Sequence, residues 1–196
     1  LAMVMYNRLQ SSNQNVRRNR DAILNNAEAE VKQGLAIDPG MPEAHYTLGK
    51  IQQAQGRLDD AMASYKEAER LDPKYSDAFA GEGLIHMNRG NYADAVTAFK
   101  QSIDLNSGNS TAHYGLGRTY FKQGLYDDAL KELNTSLYQH RNSAPVRITR
   151  GQIYQAQGNT VAAVSEFREA ISIKPEVPDA YMGIAEIREN RGDLEH

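Results

Sequence analysis

Glycines recur along this chain in steps of 34 residues: Gly49, Gly83, Gly117 and Gly151 form one series, and Gly56, Gly90, Gly124, Gly158 and Gly192 a second. Ala27, Ala61, Ala95, Ala129 and Ala163 keep the same step, and a large apolar residue follows each by four, at Val31, Tyr65, Phe99, Leu133 and Phe167. Registers held together over four or five copies define a repeat array. Its units bury their apolar faces only against one another.

Each unit reads as two amphipathic helices. In 110–143, Ala112, His113, Leu116, Gly117 and Tyr120 fall at the three- and four-residue steps of one helix face, and Tyr126, Ala129, Leu130, Leu133, Ser136 and Leu137 form a second. Gly124 lies between them and suits a left-handed terminating residue. Glycine or alanine inside a helix costs propensity, so another need must place it there. The expected need is close approach of the two backbones. Asp38-Pro39, Asp72-Pro73 and Lys174-Pro175 end second helices, because proline removes a donor and disfavours helix in the residue before it. The segments 106–110 and 140–145 carry turn residues at the equivalent boundaries.

The 34-residue period and these positions make about 175 residues resemble the tetratricopeptide repeat (TPR) family. The resemblance implies an all-α fold, a right-handed α-solenoid of stacked antiparallel helix pairs. Its divisions would be a half unit at 19–41, full units at 42–75, 76–109, 110–143 and 144–177, and a half unit at 178–193. Residues 1–18 do not fit the pattern and are expected to form a basic helical extension or a capping helix. Leu194-Glu195-His196 resembles a purification-tag remnant, which would make Asp193 close to the last native residue. Two units depart from the pattern, with Glu82 and Arg150 where Leu48, Leu116 and Ile184 stand elsewhere. Arg147 occupies the position that holds His45, Phe79, His113 and Tyr181 in other units, so the fourth unit is expected to pack loosely or to face something other than its neighbour.

Composition narrows the chemistry. The chain has no cysteine, which removes disulfides and thiolate metal sites. Its formal net charge is −3, but residues 1–20 hold Arg8, Arg17, Arg18 and Arg20 with no acid, so that segment is +4 and the rest −7. An acidic body argues against nucleic acid as a partner. No stretch approaches the roughly 18 apolar residues of a membrane span. The opening LAMVM is expected to be a helix start, with the stub of a removed anchor or signal as the alternative.

Candidate catalytic groups all have simpler readings. His45 and His113 share one repeat position in separate hairpins, as packing residues would. His86 and His140 stand apart, and no HxxxH spacing offers a helical metal site. Asp59-Asp60 and Asp127-Asp128 begin second helices, where acids complement the helix dipole and aspartate can cap free N–H groups. The GLG at 115–117 lacks the strand and third glycine of a dinucleotide loop. No enzymatic activity, cofactor, metal or small-molecule substrate is expected.

The resemblance implies a concave groove lined by first helices. It implies a non-catalytic protein–protein interaction scaffold that holds a partner peptide or helix there. The groove residues it assigns are Tyr46, Lys50, Gln53, Leu84, Met87, Tyr114, Arg118, Phe121, Lys122, Ile148 and Gln152. Leu84, Met87, Tyr114, Phe121 and Ile148 would form an apolar floor, and Lys50, Arg118 and Lys122 would meet acidic groups. Some relatives grip a partner's C-terminal carboxylate with a clamp of lysine, asparagine and arginine. Tyr46, Lys50, Gly81, Thr111 and Gly115 stand at those positions in one frame, and Ala80, Leu84, Gly115, Pro145 and Thr149 in the next, so the clamp is missing. Alternatives are a self-associating assembly protein whose end helices meet another copy, and the recognition arm of a larger enzyme or secretion complex. A cytoplasmic location is expected, with membrane tethering through a removed N-terminal segment as the alternative.

Overall fold

The computed structural model describes the backbone of residues 2–191 and the side chains of residues 16–190. The expected tag remnant, Gly192 and the side chain of Arg8 lie outside these described residues. Among the described residues ten helices follow one another: α1 (Ala2–Ile37), α2 (Pro42–Ala54), α3 (Leu58–Leu71), α4 (Ser76–Asn88), α5 (Tyr92–Leu105), α6 (Ser110–Lys122), α7 (Tyr126–Gln139), α8 (Ala144–Ala156), α9 (Thr160–Ile173) and α10 (Pro178–Arg191). The described residues contain no strand.

The turns follow from single residues. Gly56, Gly90, Gly124 and Gly158 have φ between 76° and 81°, the left-handed region that ends α2, α4, α6 and α8. In register with them in α1 stands Ala22, and there the helix runs on unbroken. Between hairpins, the side chains of Asp38, Asp72 and Asn106 each accept a hydrogen bond from the backbone N–H two residues on, at 2.9–3.0 Å. The paired aspartates sit in the first turns of α3 and α7 but cap neither helix, because Arg57 and Leu125 hold the N-cap positions. Only the dipole reading of those pairs stands.

Each even-numbered helix from α2 to α8 packs antiparallel on the helix after it, and successive hairpins stack. Helices α2, α4, α6, α8 and α10 touch one another along the stack, whereas α3, α5, α7 and α9 do not. Helices that crowd together occupy the inside of a curve. The even-numbered helices therefore line the concave surface of an all-α solenoid.

The core is a file of plugs. Tyr65, Phe99, Leu133 and Phe167 are each no more than 1% exposed. Every plug is wedged between its own hairpin and the next. A Cβ added to Gly49 or Gly81 would come within 2.6 Å of the Tyr65 ring, and one added to Gly83 or Gly115 within 2.7 and 2.2 Å of Phe99. Gly151 and Gly183 hold Phe167 in the same way. The mid-helix glycines thus make room chiefly for a ring rather than for a close backbone, which corrects the expectation. A Cβ on Gly117 would meet the Leu133 side chain at 2.8 Å and the Ala129 carbonyl at 3.1 Å, so backbone approach counts there as well. Leu133 is the aliphatic plug of this set, and the register that holds Gly81, Gly115 and Gly183 for the ring plugs carries Thr149 after it. Val31 and Thr47 repeat that pairing in register.

The departures from the pattern are paired charges. Arg147 and Arg150 both reach Glu166 of α9, at 3.3 and 3.1 Å, so the fourth hairpin is closed by an ion triad rather than loosely packed. His113 meets Glu132 at 2.6 Å with the same 19-residue offset as Arg147 to Glu166. Glu82 of α4 meets Lys66 at 3.6 Å and His86 at 3.3 Å. Burial and the neighbouring Glu82 push the Glu69 carboxyl up to about 7.

Candidate functional site

Helices α6, α8 and α10 place Tyr114, Arg118, Phe121, Lys122, Pro145, Ile148, Thr149, Gln152 and Asp179 around one hollow of about 340 Å³ on the concave side. Arg118 follows Tyr114 by four residues, and Phe121 and Lys122 follow Arg118 by three and four, so one face of the helix carries them all. A neighbouring hollow is walled by Met87, Asn88, Arg89, Gly90, Tyr92, Arg118 and Lys122. Arg118 and Lys122 belong to both and form the partition between them. The Arg118 guanidinium lies 5.5 Å from the centre of the Tyr114 ring, a cation–π contact that holds its long side chain against the groove.

The expected groove residues therefore divide. Tyr114, Arg118, Phe121, Lys122, Ile148 and Gln152 come together. Tyr46, Lys50 and Gln53 of α2 line neither hollow, and two of them are engaged within the fold. Tyr46 packs on Tyr65 and edge-on to Tyr75, with centroids 5.8 and 5.5 Å apart, and its hydroxyl is pushed up to about 12 by burial and nearby charge. The Gln53 side-chain oxygen accepts a hydrogen bond from the Tyr65 hydroxyl at 2.8 Å. Lys50 remains exposed, with its ammonium 5.4 Å from the Tyr46 ring centre.

The apolar floor is narrower than the sequence implies. Met87 is 7% exposed and belongs to the core around Phe99, as does half-buried Leu84. Met87 shows only an edge to the second hollow, so it is no free anchor. Tyr114, Phe121 and Ile148 pack against the cores with one side and keep another open to the first hollow.

Asp179 was not among the expected residues. It stands in the first turn of α10, in register with Glu43, Asp77, Thr111 and Pro145, so extending the 34-residue step to the last helix would have found it. Its carboxylate sets one negative group in a hollow whose other charged groups are Arg118 and Lys122. Arg89 and Tyr92 were also missed. Arg89 carries a 2.5 Å ion pair to exposed Asp59, which ties the hairpin turns together. Among the described residues no cluster of histidine, cysteine and carboxylates could hold a metal, and no helix is long and apolar enough to cross a membrane.

Known proteins agree with this architecture. The tetratricopeptide repeat model matches residues 24–83 and 86–153, and a second model of the same description matches 144–177. The crystal structure of PilW, a widely conserved type IV pilus biogenesis factor, has a TM-score of 0.77 at 20% identity, over 91% of this chain and 83% of PilW. TTC0263, a thermophilic TPR protein of Thermus thermophilus, gives 0.72 at 20% identity, over 92% and 95%. YrrB, described as a TPR protein with an unusual peptide-binding site, gives 0.59 at 22% identity, over 90% and 86%. No curated protein matches the chain. The family match spans well over half of the residues, and the chain belongs to the tetratricopeptide repeat family.

Proposed function

We propose that this chain is a non-catalytic scaffold that binds an extended peptide or a helix of a partner protein across α6 and α8. The observation that carries the reading is the paired hollow partitioned by Arg118 and Lys122. The first hollow offers the open sides of Tyr114, Phe121 and Ile148 beside two cations. Aromatic and arginine side chains gathered in a concavity are the composition of binding hot spots. The fitting ligand has one or two apolar anchors for the first hollow and a carboxylate for the partition. Asp179 favours a donor, such as a backbone N–H or a lysine, at the α10 end. YrrB, a protein of similar fold, is described as having a peptide-binding site, which supports a peptide as the class of ligand.

A random peptide library displayed against the immobilised full chain tests this. Peptides with acidic residues next to apolar ones should be enriched and should be lost on Arg118→Glu/Lys122→Glu. Enrichment of peptides that bind the double variant equally would overturn the assignment.

A further inference from the structure

A third hollow, of about 320 Å³, opens at the N-terminal ends of α6 and α8. Tyr114 and Pro145 line both it and the first hollow, just as Arg118 and Lys122 line both the first and the second. The three hollows therefore form one trough with two partitions. Helix α6 supplies a wall residue at each end, Ser110 in the third hollow and Lys122 in the second. At about 1.5 Å per helical residue, these two stand about 18 Å apart. An extended chain covers that length in about six residues, at roughly 3.3 Å each.

The polar groups along the trough suit a bare backbone. Each hollow has one carboxamide, Asn88 in the second, Gln152 in the first and Asn142 in the third. All three are exposed, and none makes a hydrogen bond among the described residues. The other amides of α2 and α8 are committed to the fold: Gln52 bonds to Ser64 at 2.7 Å, Gln53 to Tyr65 at 2.8 Å and Gln155 to Glu186 at 3.0 Å. A free carboxamide offers a donor and an acceptor side by side, the complement of a peptide unit. A helix has already paired most of its backbone groups internally, and a body about 10–12 Å wide bridges the partitions instead of dipping between them. An extended chain keeps an N–H and a C=O free at each residue. Its alternate side chains, about 6.7 Å apart on one face, step over one partition at a time.

Resting on the groove reading above, we propose that the partner segment is an extended stretch of about six residues lying along α6 from the second hollow to the third. An acidic side chain sits at Arg118 and Lys122 and an apolar one fills the first hollow. The backbone bonds to Asn88, Gln152 and Asn142. The third hollow is walled by Thr111, His140, Asn142 and other residues that include no carboxylate, lysine or arginine, so it takes an uncharged side chain.

The probe is a fluorescein-labelled peptide selected from the random library against the full chain, read by anisotropy. Trimming it from either end should leave affinity within about twofold until about six residues remain. Asn88→Ala, Gln152→Ala and Asn142→Ala remove exposed side chains that bond to nothing else in the fold. Each should weaken binding by about threefold to tenfold, as the loss of one hydrogen bond does, with the melting curve unchanged. Replacing peptide amides singly by esters deletes one N–H and keeps the side chains. It should cost a similar factor opposite each carboxamide, and nothing further in the matching alanine variant. An i,i+4 staple that locks the peptide as a helix should abolish binding. A stapled peptide that binds as tightly, or full affinity in all three alanine variants while Arg118→Glu/Lys122→Glu still abolishes binding, would overturn the extended form and leave the groove in place. Binding that survives Arg118→Glu/Lys122→Glu would overturn both.

Discussion

Gly115→Ala adds a single methyl group to a helix, a change that in an open helix stabilises by up to about 1 kcal/mol. Here the new Cβ would stand 2.2 Å and 2.3 Å from two ring carbons of Phe99, where ordinary contact begins at 3.4 Å. The ring would have to retreat by roughly 1 Å. It has nowhere to go, since Phe99 is 0% exposed and Gly83 backs its other side so closely that a Cβ there would stand 2.7 Å from the ring. Overpacking of this kind costs about 1–3 kcal/mol, which exceeds the propensity gain. A net loss of about 1 kcal/mol corresponds to a melting temperature lower by about 2–4 °C in a chain of this length. Thermal unfolding followed by circular dichroism reads it directly. Two companion variants make the argument specific. Gly34→Ala, with nothing within 4 Å of the new carbon, should be neutral or stabilising. Phe99→Leu should lower stability alone yet raise it in the Gly115→Ala background, copying the natural pair of Leu133 with Thr149. If Gly115→Ala melts no lower than wild type, or if Phe99→Leu fails to relieve it, the ring-and-glycine account of the core is wrong.

Three further outcomes follow from charges in named places. The Glu69 carboxyl, raised to about 7 by burial and by Glu82, binds its proton more tightly folded than unfolded. Stability should therefore rise as pH falls from 8 through 7 toward the ordinary carboxylate range, and Glu69→Gln should stabilise at pH 8 but not at pH 5 in urea titrations. Glu166→Gln leaves Arg147 and Arg150 facing each other without their shared anion and should cost about 2–3 kcal/mol in the same assay. For a library-selected peptide, Arg118→Glu should weaken binding by about 1–2 kcal/mol in fluorescence anisotropy. Lys50→Glu, which lies outside both hollows, should change it by no more than about 0.5 kcal/mol.

The period alone makes the hairpins legible, since one step of 34 fixes the turn glycines, the plugs and the helix faces. Register gives the angle of a residue on its helix but not the depth of its neighbours. Gln53, Met87, Phe121 and Gln155 share one position, yet Met87 is buried and the others are half-buried. That is why the groove inventory counts buried Met87 in an apolar floor whose open sides come from Tyr114, Phe121 and Ile148. Pairwise compensation is harder to see for the same reason. Arg147 and Arg150 look like defects until Glu166, 19 and 16 residues on, is placed opposite them. The match of aromatic plugs to glycine and aliphatic plugs to threonine is written in the chain, but only the packed structure shows that each plug has two walls. Asp179 is hidden because an acid in the first turn of a helix reads as a complement to the dipole.

The most direct test of the groove places a photo-crosslinking amino acid at Gln152, inside the first hollow, or at Tyr138, which is 76% exposed on α7 and lines neither hollow. A peptide selected against the full chain should crosslink from position 152 and not from 138, with Arg118→Glu/Lys122→Glu abolishing the product. Crosslinking from 138 with none from 152 would contradict the assignment and put recognition outside the groove.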